Sequence, residues 1–140
     1  VNNARTNWHV AMNYRGAYQV GYMRRMFEKR DWQKLVMDQS AIAGDNPEGV
    51  EYKIAAVSSA KDCMMVYIPY GRKTAVNTSK LTAVKLRGWW FNPRDGYTIA
   101  LGEFDNAGSQ EFTPTSVGRG SDWVLVLDDA TKNYPEPSAY

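Results

Sequence analysis

Cysteine and histidine are almost missing from this chain: Cys63 is its one thiol and His9 its one imidazole. A single thiol cannot close an internal disulfide, which excludes a disulfide-stapled miniature fold while leaving the compartment open. Cys63 lies in the apolar run Cys63-Met64-Met65-Val66-Tyr67-Ile68, where a buried, inert thiol is the expectation. Any Ser–His–Asp or Cys–His arrangement must use His9, and nothing in the sequence positions it against a nucleophile. With one His, one Cys and no carboxylate run resembling a calcium loop, no metal site and no cofactor are expected.

An excess of one charge is also lacking. Lys and Arg number 17 against 15 Asp and Glu, and the basic residues are scattered, with only short pairs at Arg24-Arg25 and Arg72-Lys73. Neither nucleic acid nor an anionic membrane surface is an expected partner. No apolar run approaches the ~18 residues of a membrane span, and no charged-then-apolar leader opens the chain. Because the sequence starts at Val1 rather than methionine, it reads as a segment of a longer polypeptide, and localisation is not legible in it. Its 140 residues suffice for one ordinary domain with a real core.

What is present divides in two. From Tyr14 to about Arg30, Val20, Met23, Met26 and Phe27 recur at helical spacing, with Tyr18 and Tyr22 widening the apolar arc and Arg24, Arg25, Glu28 and Lys29 opposite. Asp31 is placed to cap a second short turn through Trp32, Gln33, Lys34 and Leu35, with helix over by Asp38. Past the loop Gly44-Asp45-Asn46-Pro47-Glu48-Gly49 the period becomes two. Strands are expected near 52–58, 63–69, 74–77, 83–91, 97–103, 110–113 and 123–128. The fold class is therefore mainly β: an antiparallel β-sandwich of about 7–8 strands preceded by an amphipathic helix. Residues 1–38 form the helical segment, 39–130 the sandwich and 131–140 an extended tail.

The stretch Gly88-Trp89-Trp90-Phe91-Asn92-Pro93-Arg94-Asp95-Gly96 adds a constraint. Neighbours on a strand point to opposite faces, so Leu86 and Trp90 share one side and Arg87, Trp89 and Phe91 the other. Both sides must be covered. Cys63–Ile68 and Trp123–Leu127 are likewise apolar at both parities, as central strands with two covered faces are. A bare two-layer sandwich has wet outer faces, so the N-terminal helix, another domain, or both supply the cover.

Chemistry is harder to find. Glu103 with Asp105 and Asp128 with Asp129 read as solvated edge charges, because glycosidic carboxyl pairs need separations of roughly 5–9.5 Å that adjacency on a strand does not establish. The loops Gly71-Arg72-Lys73-Thr74 and Gly118-Arg119-Gly120-Ser121 lack the full phosphate-loop pattern. Aromatics remain: five Trp and nine Tyr, material for a core, a domain seam or a sugar-stacking platform. Trp123 and Trp90 read as core. Ligand or interface candidates are Trp89, Phe91, Arg94, Tyr97 and Trp32, with Val20, Met23 and Phe27 as the interface of the helix.

Taken together, Trp8-His9-Val10-Ala11-Met12, Gly16-Ala17-Tyr18-Gln19-Val20-Gly21-Tyr22-Met23-Arg24-Arg25-Met26-Phe27-Glu28, Trp32 and Leu35-Val36-Met37-Asp38-Gln39-Ser40 resemble the junction in DUF4038-type, apiosidase-like bacterial glycoside hydrolases. The motifs Tyr67-Ile68-Pro69-Tyr70-Gly71, Trp89 to Gly96 and Asp122 to Leu127 resemble the β-sandwich that follows, a module described as the collagen-binding domain of a collagenase. Departures fall at Met37, where a proline is usual, at Gln33 and at Asn92. The resemblance implies that residues 1–38 end a (β/α)8 catalytic domain and that the protein is exported from a bacterial cell. It implies that His9, Asn13, Tyr14 and Arg15 lie towards the catalytic face of that barrel. No catalytic residue is carried over, since the family's catalytic acids lie on the barrel.

Three functions follow. The first is a non-catalytic accessory sandwich that packs on the barrel of its own polypeptide and stabilises it. The alternative is a module that binds polysaccharide, or collagen, through exposed aromatics. An independent enzyme ranks last, because no nucleophile, base or metal set is positioned, so the chain by itself is expected to be inactive.

Overall fold

A computed structural model describes residues 5–140. Two helices, α1 (Trp8–Ala11) and α2 (Arg15–Glu28), precede nine strands in two antiparallel sheets. The strands are β1 (Leu35–Met37), β2 (Ile42–Ala43), β3 (Ile54–Ser58), β4 (Cys63–Ile68), β5 (Thr74–Asn77), β6 (Lys85–Phe91), β7 (Thr98–Asp105), β8 (Ser109–Phe112) and β9 (Trp123–Asp129). The large sheet has the order β1-β3-β4-β9-β6-β7 and the small one β2-β5-β8. The two runs that are apolar at both parities, β4 and β9, are the adjacent central strands of the large sheet, as their composition requires.

Seven strands lie where the period-two pattern puts them. The other two, β1 and β2, have only three and two residues, too few to show a period. They form because partners elsewhere hold them: Leu35 to Met37 pairs with Ser58 to Ala56, and Ile42-Ala43 with Val76-Ala75. Leu35 thus leaves the expected helical turn, which is a 3-10 turn over Trp32–Lys34. Nor does Asp31 cap that turn; its carboxylate instead accepts a 2.8 Å hydrogen bond from Lys34 Nζ.

Between the sheets lies the main core, with Val57, Met64, Val66, Ile68, Leu86, Trp90, Trp123, Leu125 and Leu127 facing Ile42, Val76 and Phe112 of the small sheet. Trp90 and Trp123 meet edge to face, their centroids 6.3 Å apart, the preferred arrangement of two ring quadrupoles. Each large side chain buried here contributes roughly 1.5–3 kcal/mol. A second cluster forms on the outer face of the large sheet, where Cys63, Met65, Phe91, Val124 and Val126 meet Met26 of α2 and Ala139 of the C-terminal segment.

The β6–β7 hairpin closes through an Asx-type turn. Asn92 Oδ1 accepts from Arg94 N, Asp95 Oδ1 accepts from Tyr97 N, and Asn92 Nδ2 donates to Asp95 Oδ2. Side chains that hydrogen-bond to backbone two residues on are what make Asn and Asp turn formers. Gly96 has φ +79°, and a Cβ there would lie 2.6 Å from that of Ala139 and 3.0 Å from the Tyr22 ring. Any other residue here is strained by the backbone conformation and crowded by the chain packed over it.

Candidate functional site: the outer layer and its cleft

The outer face of the large sheet is where the candidate residues converge. Its cross-strand rows follow from the register: one runs Ile54, Tyr67, Val124, Phe91 and the next Ala56, Met65, Val126, Trp89. Helix α2 lies over the β9–β6 side of these rows. Phe91 and Val126 are buried there, whereas on the β3 side Tyr67 is 37% exposed and Ile54 40%.

Polar ties from sequence-distant segments hold α2 down. Just past its C-terminal end Arg30 turns inward and grips Asp128 with two charge-assisted bonds, Nη2 to Oδ2 at 2.6 Å and Nε to Oδ1 at 3.0 Å; the two side chains are 1% and 3% exposed. Asp128 is therefore no solvated edge charge. Tyr134, whose ring lies beneath the Arg30 guanidinium, donates to Asp62 Oδ2, and Ser58 Oγ donates to Asp62 Oδ1. Burial pushes the Asp62 carboxyl up, but hydrogen bonds from Ser58, Tyr134 and its own backbone N–H outweigh this and hold it below the ordinary range. Burial first, then the neighbouring Asp128 carboxylate, pushes the Cys63 thiol well above its usual value, so Cys63 is no nucleophile.

The C-terminal segment returns across α2. Arg25 Nε donates to Ala139 O at 2.8 Å, Ala139 N to Gly96 O at 2.8 Å, Lys29 Nζ to Tyr140 O at 3.2 Å, and Tyr140 Oη to Asp95 O at 3.0 Å. Glu136 accepts from Thr98 Oγ1. The extended tail expected from its prolines is thus laid along the fold, with Ser138 and Ala139 buried.

Between α2 and the sheet lies a cleft of about 710 Å³. Val20, Met23 and Phe27 form the helix wall, and Ile54, Tyr67, Val124 and Phe91 the floor. Arg94 closes one end: its Nη1 donates to the backbone carbonyl and, at 3.0 Å, to the carboxylate of Asp122, while the guanidinium covers the Trp123 ring at 4.9 Å. Arg94 is a structural tie, its Nη1 bonded twice to Asp122. Tyr67 Oη reaches the same carboxylate at 3.4 Å, and its hydroxyl is held above its usual value by burial and then by that charge.

The remaining sequence candidates scatter. Trp89 packs into the outer cluster, its indole N–H buried without a protein partner. Phe91 is 1% exposed and belongs to the same cluster, so its ring offers nothing to a soluble ligand. Trp32 is half-exposed beside Phe27, Arg24 and Glu28 in a shallow depression. Tyr97 is 61% exposed and stacks obliquely on Tyr140 at 4.9 Å. Val20, Met23, Phe27, Phe91 and Arg94 thus share one cleft; Trp89, Trp32 and Tyr97 do not line it. Tyr67, Ile54 and Asp122 were missed in the sequence; the one signal, the apolarity of β4 at both parities, bears on Tyr67 alone.

His9 is exposed on α1 against the Trp8 ring. Glu103 pairs with Arg87 at 2.6 Å and Asp129 Oδ1 accepts from Thr131 N. Among the described residues no group of three or more His, Cys, Asp or Glu is placed to hold a metal ion, and no helix is long and apolar enough to cross a membrane.

Comparison with known proteins places this architecture. Residues 36–128 match the family described as "Putative collagen-binding domain of a collagenase". A solved structure named a glycoside hydrolase superposes with a TM-score of 0.85 at 34% identity, over 94% of this chain and 29% of its own. A glycoside hydrolase family 5 structure from Bacteroides vulgatus ATCC 8482 gives 0.85 at 30% identity, over 95% of this chain and 28% of its own. The chain spans less than a third of either. No curated protein matches it.

Proposed function

Because the chain belongs to the family described as "Putative collagen-binding domain of a collagenase", and its structural neighbours are glycoside hydrolases more than three times its length, we propose that it is a non-catalytic accessory domain of a glycoside hydrolase. In this reading it packs on the catalytic barrel of its own polypeptide and stabilises it, with residues 1–38 as the end of that barrel and 39–130 as the sandwich. The observation that carries the packing role is the outer surface of α1 and α2. Trp8, Val10, Met12, Tyr14 and Tyr18 are all more than half exposed and lie outside the cleft, a density of large apolar groups that a surface left in water rarely shows. The experiment is association: the separately expressed catalytic domain should bind this chain and melt at higher temperature with it. A catalytic domain that neither binds nor gains stability removes the packing role.

A second reading, a module for polysaccharide or for collagen, is favoured by one observation, the exposed Tyr97 ring beside Tyr140 with Trp32 half-exposed. Aromatic faces of this kind stack on sugar rings. Glycan-array and collagen pull-down signals that Tyr97→Ala and Trp32→Ala both abolish would support it; binding to neither material removes it.

A further inference from the structure

The cleft under α2 is too apolar and too open to be an incidental gap. Along the floor row, exposure rises from 1% at Phe91 and 9% at Val124 to 37% at Tyr67 and 40% at Ile54, while on the facing wall Met23 is 46% and Val20 61% exposed. The third layer that covers this sheet on its β9–β6 side is thus absent on its β3 side, and apolar side chains face each other across the space. Closing it would remove most of that apolar area from water at about 25 cal/mol per Å².

We infer that the cleft is the seat of an apolar segment of the larger hydrolase polypeptide, one that sets carboxylate or carbonyl oxygens against Arg15. This rests on the reading of the chain as an accessory domain and adds where the rest of the polypeptide docks. Three observations choose the occupant. The structural neighbours have more than two thirds of their chains outside the matched region, so a covalently tethered occupant is at hand at high effective concentration. The lining is mainly aliphatic, thioether and aromatic side chains, Phe27 and Phe91 included, with Gln19 its one amide and charges at Arg15, Arg94 and Asp122, which suits a peptide's apolar side chains and leaves most of a sugar's hydroxyls unpaired. The charges at the ends are unequal: Arg94 is neutralised by Asp122, whereas Arg15 makes no ion pair among the described residues. One cation at the mouth of an apolar groove selects a segment ending in acceptors.

The test is cysteine accessibility in the full-length polypeptide. Met23→Cys and Tyr67→Cys report on the cleft from its two walls, and Val84→Cys, at a position 82% exposed and outside the cleft, gives the reference rate. Maleimide labelling, read at each site by mass spectrometry, should be roughly tenfold slower or more at both cleft positions than at Val84→Cys, because a seated segment must open first. Should Tyr67→Cys disturb the sheet, Met23→Cys on the helix reads the same space. Labelling in the cleft as fast as at Val84→Cys overturns the inference, as does protection that fades on dilution, which assigns the cleft to a second copy. The underlying reading is scored separately by thermal unfolding of the unmodified polypeptide. One shared transition with freely labelled cleft cysteines leaves the accessory role standing and moves the seam elsewhere; two independent transitions remove both.

Discussion

The inner and outer faces of the large sheet are packed in different ways. Inside, Met64, Val66, Leu86, Trp90, Leu125 and Leu127 are sealed against the small sheet, and the core is mainly apolar, with Thr74 and Thr78 buried on the small-sheet side and Thr78 Oγ1 and Gln110 Oε1 without protein partners. Outside, the layer is made of one helix and one returning segment. It contains a buried ion pair, Arg30 with Asp128, buried donors without protein partners at Arg30 Nη1 and Trp89 Nε1, and a cleft. A sheet pair covers itself wherever the period-two pattern continues. A layer of separate pieces needs polar ties to fix each piece, and it stops where the pieces stop. The uneven layer is therefore the one with surface left to offer.

The comparison breaks most sharply at the tryptophan pair. Trp90→Ala should cost about 4 kcal/mol, by transfer and cavity terms together, and Trp89→Ala, only partly buried, roughly half of that; urea unfolding of both variants measures the ratio, and equal losses would mean that the outer layer is as tight as the core. Arg30→Met comes next, at about 3 kcal/mol, because it strands Asp128 in the interior, and adding Asp128→Leu should recover most of the loss. A double variant no better than the single one would show that the bond geometry, rather than the orphaned charge, matters.

Gly96→Ala should cost about 2 kcal/mol through its positive φ and its contacts with Ala139 and Tyr22. It should also release the C-terminal segment, seen as loss of hydrogen-exchange protection at the Ala139 amide; retained protection would show that the segment is held elsewhere. The smallest effect concerns pH. The folded Asp62 carboxyl titrates below its unfolded value, so its contribution is present above the ordinary carboxylate range and fades as pH falls through the folded pKa. Asp62→Asn should therefore narrow the gap in melting temperature between neutral and acidic solution, and an unchanged gap would place the acid sensitivity in another carboxylate.

Legibility in the sequence followed local pattern. Strands β3 to β9, the centrality of β4 and β9 and the inward side of Trp90 all follow from alternation along one strand. Phe91 shows the limit. Parity assigns it to the outer face, where it is, yet whether that face is wet depends on α2 and the tail, and they bury it. Asp128 shows the same limit for charge: beside Asp129 it resembles an edge carboxylate, and only Arg30, 98 residues away, makes it a core residue. Of the candidate site, Val20, Met23 and Phe27 were readable as one helix face, but Tyr67 and Ile54 join them only through register between β3 and β4, and Asp122 only through its contacts with Arg94 and Tyr67.

By itself the sequence determined the mainly β class, the helix ahead of it and the two-faced central strands, because each is expressed within a few residues by periodicity or composition. Tertiary structure alone decided how far the outer face is covered, which charges are internal, how the tail is fastened, and that a cleft opens beneath α2. Those outcomes depend on contacts between segments up to more than a hundred residues apart, such as Arg25 with Ala139, and no local pattern encodes the geometry in which they meet.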